Sequence, residues 1–207
     1  MKKQFDRKRI YGVCKNARFL SNMLLNIWDF GKAQKRGSVS KDFEKRIMLA
    51  VTQVNGCEMC SFYHTAEALK QGMGKEEIDA LLGGEFEGVP ERELPALLFA
   101  QHYAQTAARP EDEVRKSFLE VYGQQQAADI MCYIRAIMVG NAQGNIAGAF
   151  KSRLKGKPEE GSSLLKEISV LLGDIVLIPA LLIISLILLP FRAIWIYSKR
   201  EKKINMQ

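Results

Sequence analysis

The chain offers little with which to hold a transition metal: two histidines and four cysteines among 207 residues. Zinc sites usually draw on two separated pairs of ligands. Outside one compact group the remaining candidates are Cys14, His102 and Cys132, and each falls in an apolar helical pattern that reads as packing or surface. No metal and no organic cofactor are expected. Four cysteines are also too few for a disulfide scaffold, and a chain of this length can bury a sufficient core without one. A secretory pattern is missing too, because Met1-Lys-Lys is followed by polar residues and not by an apolar run. The expectation is a cytoplasmic domain, where paired thiols are more often catalytic or metal-binding than structural. Period-two alternation bounded by turn residues is lacking throughout, which argues against a sheet.

Basic charge is scarce where a nucleic-acid binder would need it. Residues 1–40 hold ten Lys/Arg against two Asp, residues 41–150 hold ten against sixteen acidic residues, and residues 192–207 hold five against one. A binder of nucleic acid usually carries a basic stripe on its folded domain. Here the middle is acidic and both ends are basic, so no nucleic-acid partner is expected. Basic ends suit an anionic membrane surface; solvated ends that only help solubility are the plainer reading of the first cluster.

What is present is helical periodicity. Residues 10–34 read as one amphipathic helix, with Ile10, Val13, Cys14, Ala17, Leu20, Leu24, Ile27 and Trp28 at three- and four-residue steps, ended by Gly37. Residues 40–54 form a second, with Ser40 as N-cap, before the breaker Asn55-Gly56. A third runs from about Cys57 to Gln71, and a short one covers 75–82. Pro90 opens another over roughly 91–108, Pro110 precedes the next, and Gln124 to about Ser152 is long and apolar. Gly140, Gly144 and Gly148 lie four residues apart on that last helix and predict a strip for tight packing.

Three stretches emerge: a helical domain over 1–152, a polar linker over 153–163, and a hydrophobic segment over 164–207. From Ile175 to Phe191 every residue is apolar except Ser185, with Pro179 and Pro190 included. Counted on to Tyr197, the stretch approaches the ~20 residues that cross a bilayer. Trp195, Tyr197 and Lys199-Arg-Glu-Lys-Lys203 look like an interfacial flank. The competing environment is an oligomer interface.

The residues that carry chemistry are Cys57, Cys60 and His64. Spacings of three and four on one helix put all three side chains on one face. Both thiols fall in the first turn after Asn55-Gly56, where free N–H groups and the helix dipole favour an anion. A thiolate is the reactive form of cysteine, and such a place lowers its pKa. Two thiols one turn apart can close a disulfide. His64, one turn on, can take or return a proton. A zinc site completed from elsewhere and a pair of inert thiols are the rival readings of the same residues.

The run Ile47-Met-Leu-Ala-Val-Thr-Gln-Val-Asn-Gly-Cys57-Glu-Met-Cys60-Ser-Phe-Tyr-His64-Thr-Ala-Glu-Ala-Leu-Lys-Gln-Gly72 resembles the core of the AhpD-like alkylhydroperoxidases, within the carboxymuconolactone decarboxylase superfamily. The likeness is dense over about 40–83 and looser to about 150; the tail after 153 lies outside it. It implies an all-α AhpD-like helical bundle, here with an appended apolar C-terminal helix, and assembly as homotrimers or hexamers. It implies that Cys60 attacks a hydroperoxide and becomes a sulfenic acid. Cys57 then condenses with it to a disulfide, which a dithiol or lipoyl-bearing protein reduces, with His64 in the proton relay. Members that decarboxylate lactones lack the cysteine pair, so the likeness points to the redox branch.

Two positions depart from the pattern. Twelve residues before Cys57, where the family relay has a glutamate, stands Lys45; Glu44 is adjacent, one helical step of about 100° away. Met59 stands where some members have a histidine. Glu44 and Lys45 are both candidate site residues. The resulting expectation is a thiol-dependent peroxidase or disulfide oxidoreductase held at the membrane by its C-terminal segment. A non-enzymatic membrane assembly or redox-sensing protein is the rival from another class.

Overall fold

The computed structural model describes residues 8–204, with side chains described as far as residue 191. Along it run α1 (Val13–Leu24), α2 (Ile27–Arg36), α3 (Lys41–Asn55), α4 (Glu58–Lys70), α5 (Lys75–Gly83), α6 (Leu94–Gln105), α7 (Asp112–Leu154) and α8 (Leu164–Ile204). No strand occurs among the described residues, and the fold is an all-α bundle with an apolar C-terminal helix. The flank expected of Trp195, Tyr197 and residues 199–203 lies outside the described side chains, as do residues 1–7.

Helix α3 is central, packing against α4, α5, α6 and α7. Its apolar residues are too many for one face: Ile47, Leu49, Ala50 and Val51 are all fully buried. A helix apolar nearly all round belongs inside a domain. Its ends follow the sequence. The Ser40 hydroxyl accepts the Phe43 N–H at 3.1 Å, and Gly56 closes the other end in the left-handed region, φ 63°.

The single helix expected over 10–34 is two. Asn26 breaks it: its backbone leaves helical geometry (φ −115°, ψ 17°). Its side-chain amide donates to the Asn22 carbonyl at 2.9 Å. A short polar side chain that bonds nearby carbonyls competes with the helix ladder, while the apolar period continues on both sides and so hides the break. The helix expected over 91–108 is shorter at both ends. Residues 91–93 are turns that feed Pro95 into the first turn of α6. Beyond Gln105 the Thr106 hydroxyl bonds back to the His102 carbonyl at 2.8 Å, and Ala107 and Ala108 take positive φ. Helix α7 bends at Gly123 (φ 67°, ψ 170°), separating Asp112–Tyr122 from the long run the sequence starts at Gln124.

After α7 the polar stretch folds back through Gly156 and Gly161, both with positive φ. The Arg153 guanidinium grips the buried Glu167 carboxylate with two bonds of 2.7 and 2.9 Å. Helix α8 then runs beside α1 and α7. Its portion Leu164–Phe191 is long and apolar enough to cross a membrane, and only 22% of its most apolar stretch is buried.

Candidate redox site

The turn between α3 and α4 is held from several sides at Asn55, which is fully buried. Tyr11 donates its hydroxyl to Asn55 Oδ1 at 2.7 Å. The Asn55 carbonyl receives the Arg9 N–H at 3.0 Å and the Asn145 side-chain amide at 2.8 Å. The N-terminal segment and α7 thus fix the turn that launches α4.

Cys57 is the N-cap of α4, and its sulfur accepts the Cys60 N–H at 3.3 Å. A sulfur in that position is where an amide-rich helix start stabilises negative charge. Cys57 and Cys60 are joined as a disulfide, with Cα atoms 5.3 Å apart. Cys57 is fully buried, whereas Cys60 keeps 7% of its surface. A helix from beyond the cysteine segment covers the pair. A Cβ added at Gly144 of α7 would lie 2.7 Å from Cys57 Sγ and 3.2 Å from Cys60 Sγ. The expected glycine strip is therefore used at one position. Gly148 has nothing within 4 Å, and Gly140 meets only a methyl of Ile137 at 4.0 Å.

His64 lies one turn beyond Cys60, with its ring edge-on to Tyr63 at 5.1 Å. Its Nδ1 is buried with no hydrogen-bond partner. Burial, and then the charge of Lys45, lower its pKa to about 4, with Glu67 opposing. His64 is consequently neutral at pH 7. Lys45 is itself buried and pairs with Glu44 at 3.3 Å. Of the two α3 candidates it is Lys45 whose charge acts on His64; the Glu44 charge acts on Tyr133 of α7. Sequence reading passed over Glu67, although i, i+3 spacing from His64 put it in reach. It also passed over the specific partnership of Gly144 with the sulfurs.

Around the pair, Met59, Phe62 and Tyr63 are largely exposed, Phe62 at 80%. The other cysteines stand apart: Cys14 is exposed and Cys132 buried. Burial pushes the Cys132 thiol up to about 11. His102 pairs with Glu111 at the surface. A cavity of about 760 Å³ between Ser38, Phe43, Glu93 and Gln126 takes none of its walls from α4.

Comparison with known proteins gives one family match, running from the end of α1 into α6 and including the entire CxxC helix. Residues 23–100 match the model of the carboxymuconolactone decarboxylase family. The AhpD-like proteins fall in the same superfamily. The chain is also 29% identical over 127 residues, 58% of its length and 86% of the relative's, to YdfG of Bacillus subtilis (strain 168), described as an uncharacterized protein. No solved structure matches. Gly144 and all of α8 lie beyond the matched segment.

Proposed function

We propose that the protein is a thiol-dependent peroxidase or disulfide oxidoreductase. The observation that carries this is the Cys57–Cys60 pair at the start of α4, with Cys57 capping the helix and His64 one turn on. Cys60, the more accessible sulfur, attacks the O–O bond of a hydroperoxide as the thiolate. That bond breaks, the alcohol leaves, and Cys60 becomes a sulfenic acid. The Cys57 thiol attacks the Cys60 sulfur, water leaves, and the disulfide forms. Two thiols thus give two electrons, and the products are one alcohol and one water. Neutral His64 accepts the Cys60 proton and returns it to the departing alkoxide. An external dithiol, a lipoyl-type protein by the family likeness, restores the pair by exchange. No cofactor is needed for any step.

The assembly is proposed as a homo-oligomer, a trimer or hexamer, associated with a membrane through α8. Thiol titration tests the redox reading. Reduced protein given one equivalent of a hydroperoxide loses two free thiols, and peptide mapping finds Cys57 joined to Cys60. Retention of both thiols, or a bridge involving Cys14 or Cys132, overturns it.

A further inference from the structure

Helix α8 is amphipathic the wrong way round for a soluble helix. Its inward stripe holds Glu167, Val170, Asp174, Leu181 and Ser185, all buried. Two of the polar members meet polar partners on the body: Arg153 grips Glu167, and the Asn16 amide donates to Asp174 at 2.6 Å, while the Ser185 hydroxyl is buried without a hydrogen-bond partner. Gln143 in turn donates to Asn16 at 2.9 Å. Leu181 closes on Leu20 and Leu24. The outward stripe is apolar without interruption by charge: Leu165, Leu172, Ile175, Val176, Ile183 and Ile187 are each more than half exposed.

The same contacts fix how α8 lies. Arg153 with Glu167, Asn16 with Asp174, and Leu20 and Leu24 with Leu181 set it lengthwise along α1 and the end of α7. From Glu167 to Ser185 this docked portion spans about 27 Å at 1.5 Å per residue. A transverse span at that place would carry α1 and α7 into the hydrocarbon as well. Both expose charge there, at Lys15 and Lys151, and an ammonium at bilayer depth is costly.

We infer that the docked part of α8 lies in the plane of a bilayer surface, its outward stripe sunk among the acyl chains and the protein body above it. The partner is an anionic lipid surface. Lys199, Arg200, Lys202 and Lys203 follow the apolar run, and residues 1–40 carry an excess of basic residues, so charge complements the apolar face. The inference rests on the membrane association proposed above and adds the mode of attachment.

The test uses the full chain with Trp28→Phe and Trp195→Phe, and one new probe at a time, Leu172→Trp or Ile187→Trp. Each is mixed with vesicles of phosphatidylcholine and phosphatidylglycerol carrying bromine at known acyl depths. The two positions are 15 residues, or about 22 Å, apart along the helix. In-plane seating predicts strong quenching of both at the same shallow depth, within ~3 Å. Quenching of position 187 near the bilayer centre, with position 172 at or outside the headgroups, overturns the in-plane geometry and leaves membrane association standing. Quenching of neither, with a multiple of the chain mass in light scattering, overturns both, and the stripe then belongs to a second copy.

Discussion

Gly144 of α7 lies so close to the sulfurs of Cys57 and Cys60 that the disulfide occupies the space where any other residue would place its Cβ, 2.7 Å from Cys57 Sγ. The environment of the disulfide is therefore built by two helices. α4 supplies the thiols and the capping geometry, and α7 supplies the surface against which the sulfurs close.

Gly144→Ala should strain the site. A Cβ forced into a packed contact costs ~1–3 kcal/mol, against a gain of ~1 kcal/mol for alanine over glycine within a helix. Disulfide formation from the reduced protein should slow as well. Gly148→Ala, with open space at its Cβ, should be neutral or stabilising. Denaturant melts of oxidised and reduced forms of both variants check this; equal behaviour of the two would remove the special role of Gly144.

The two cysteines should divide their labour. Cys60→Ser should abolish peroxide-driven oxidation, whereas Cys57→Ser should leave a sulfenic acid on Cys60 that a dimedone-type probe traps. Labelling of Cys57 in the Cys60→Ser protein, with turnover kept, would reverse the assignment.

His64 should contribute a pH dependence to stability. Its folded pKa is lowered from 6.5 to about 4, first by burial and then by Lys45. Between those values the unfolded chain binds more protons than the folded one, so stability rises with pH there. The contribution is present above about pH 6.5 and is lost on acidification toward pH 4, at most ~3 kcal/mol over that window. His64→Gln should flatten this slope in urea melts at stepped pH.

Lys45→Gln should raise the His64 pKa, because one of its two depressing influences is gone. The value should stay below 6.5, since burial, the larger influence, remains. Proton NMR titration of the ring reads it directly. An unchanged titration would place the Lys45 charge out of effective reach.

The attachment of α8 should depend on Arg153. Removing the Arg153 guanidinium leaves the buried Glu167 carboxylate without its charge partner. Arg153→Ala should therefore destabilise strongly, while Arg153→Ala combined with Glu167→Leu should recover most of the loss. Thermal melts compare the two, and a double variant as unstable as the single would mean Glu167 is not the group left stranded.

Much was written in the chain itself. Gly37, Ser40 and Gly56 end or begin helices for reasons local to each residue, φ or a side-chain oxygen, so the boundaries of α3 were legible. The spacing Cys57, Cys60, His64 placed three side chains on one face because 3.6 residues make a turn. The length and apolarity of Leu164–Phe191 were legible for the same kind of reason, since composition does not depend on neighbours. Asn26 was not: its backbone bond competes with the helix in a way that leaves the apolar period intact.

Only the tertiary structure decided which neighbour each face meets. Periodicity gives a direction around a helix axis, and contact requires a second helix at a particular register. So the chain alone offered three equivalent glycines, and packing selected Gly144 for the sulfurs. It offered adjacent Glu44 and Lys45, and the rotation of α3 turned the Lys45 charge toward His64. It offered one apolar run interrupted by Asp174 and Ser185, and docking on α1 and α7 turned those polar groups inward and left the apolar stripe facing out. The partners waiting on the body, Arg153 for Glu167 and Asn16 for Asp174, favour that orientation over leaving a buried carboxylate unpartnered; Ser185 follows on the same stripe, buried without a partner of its own.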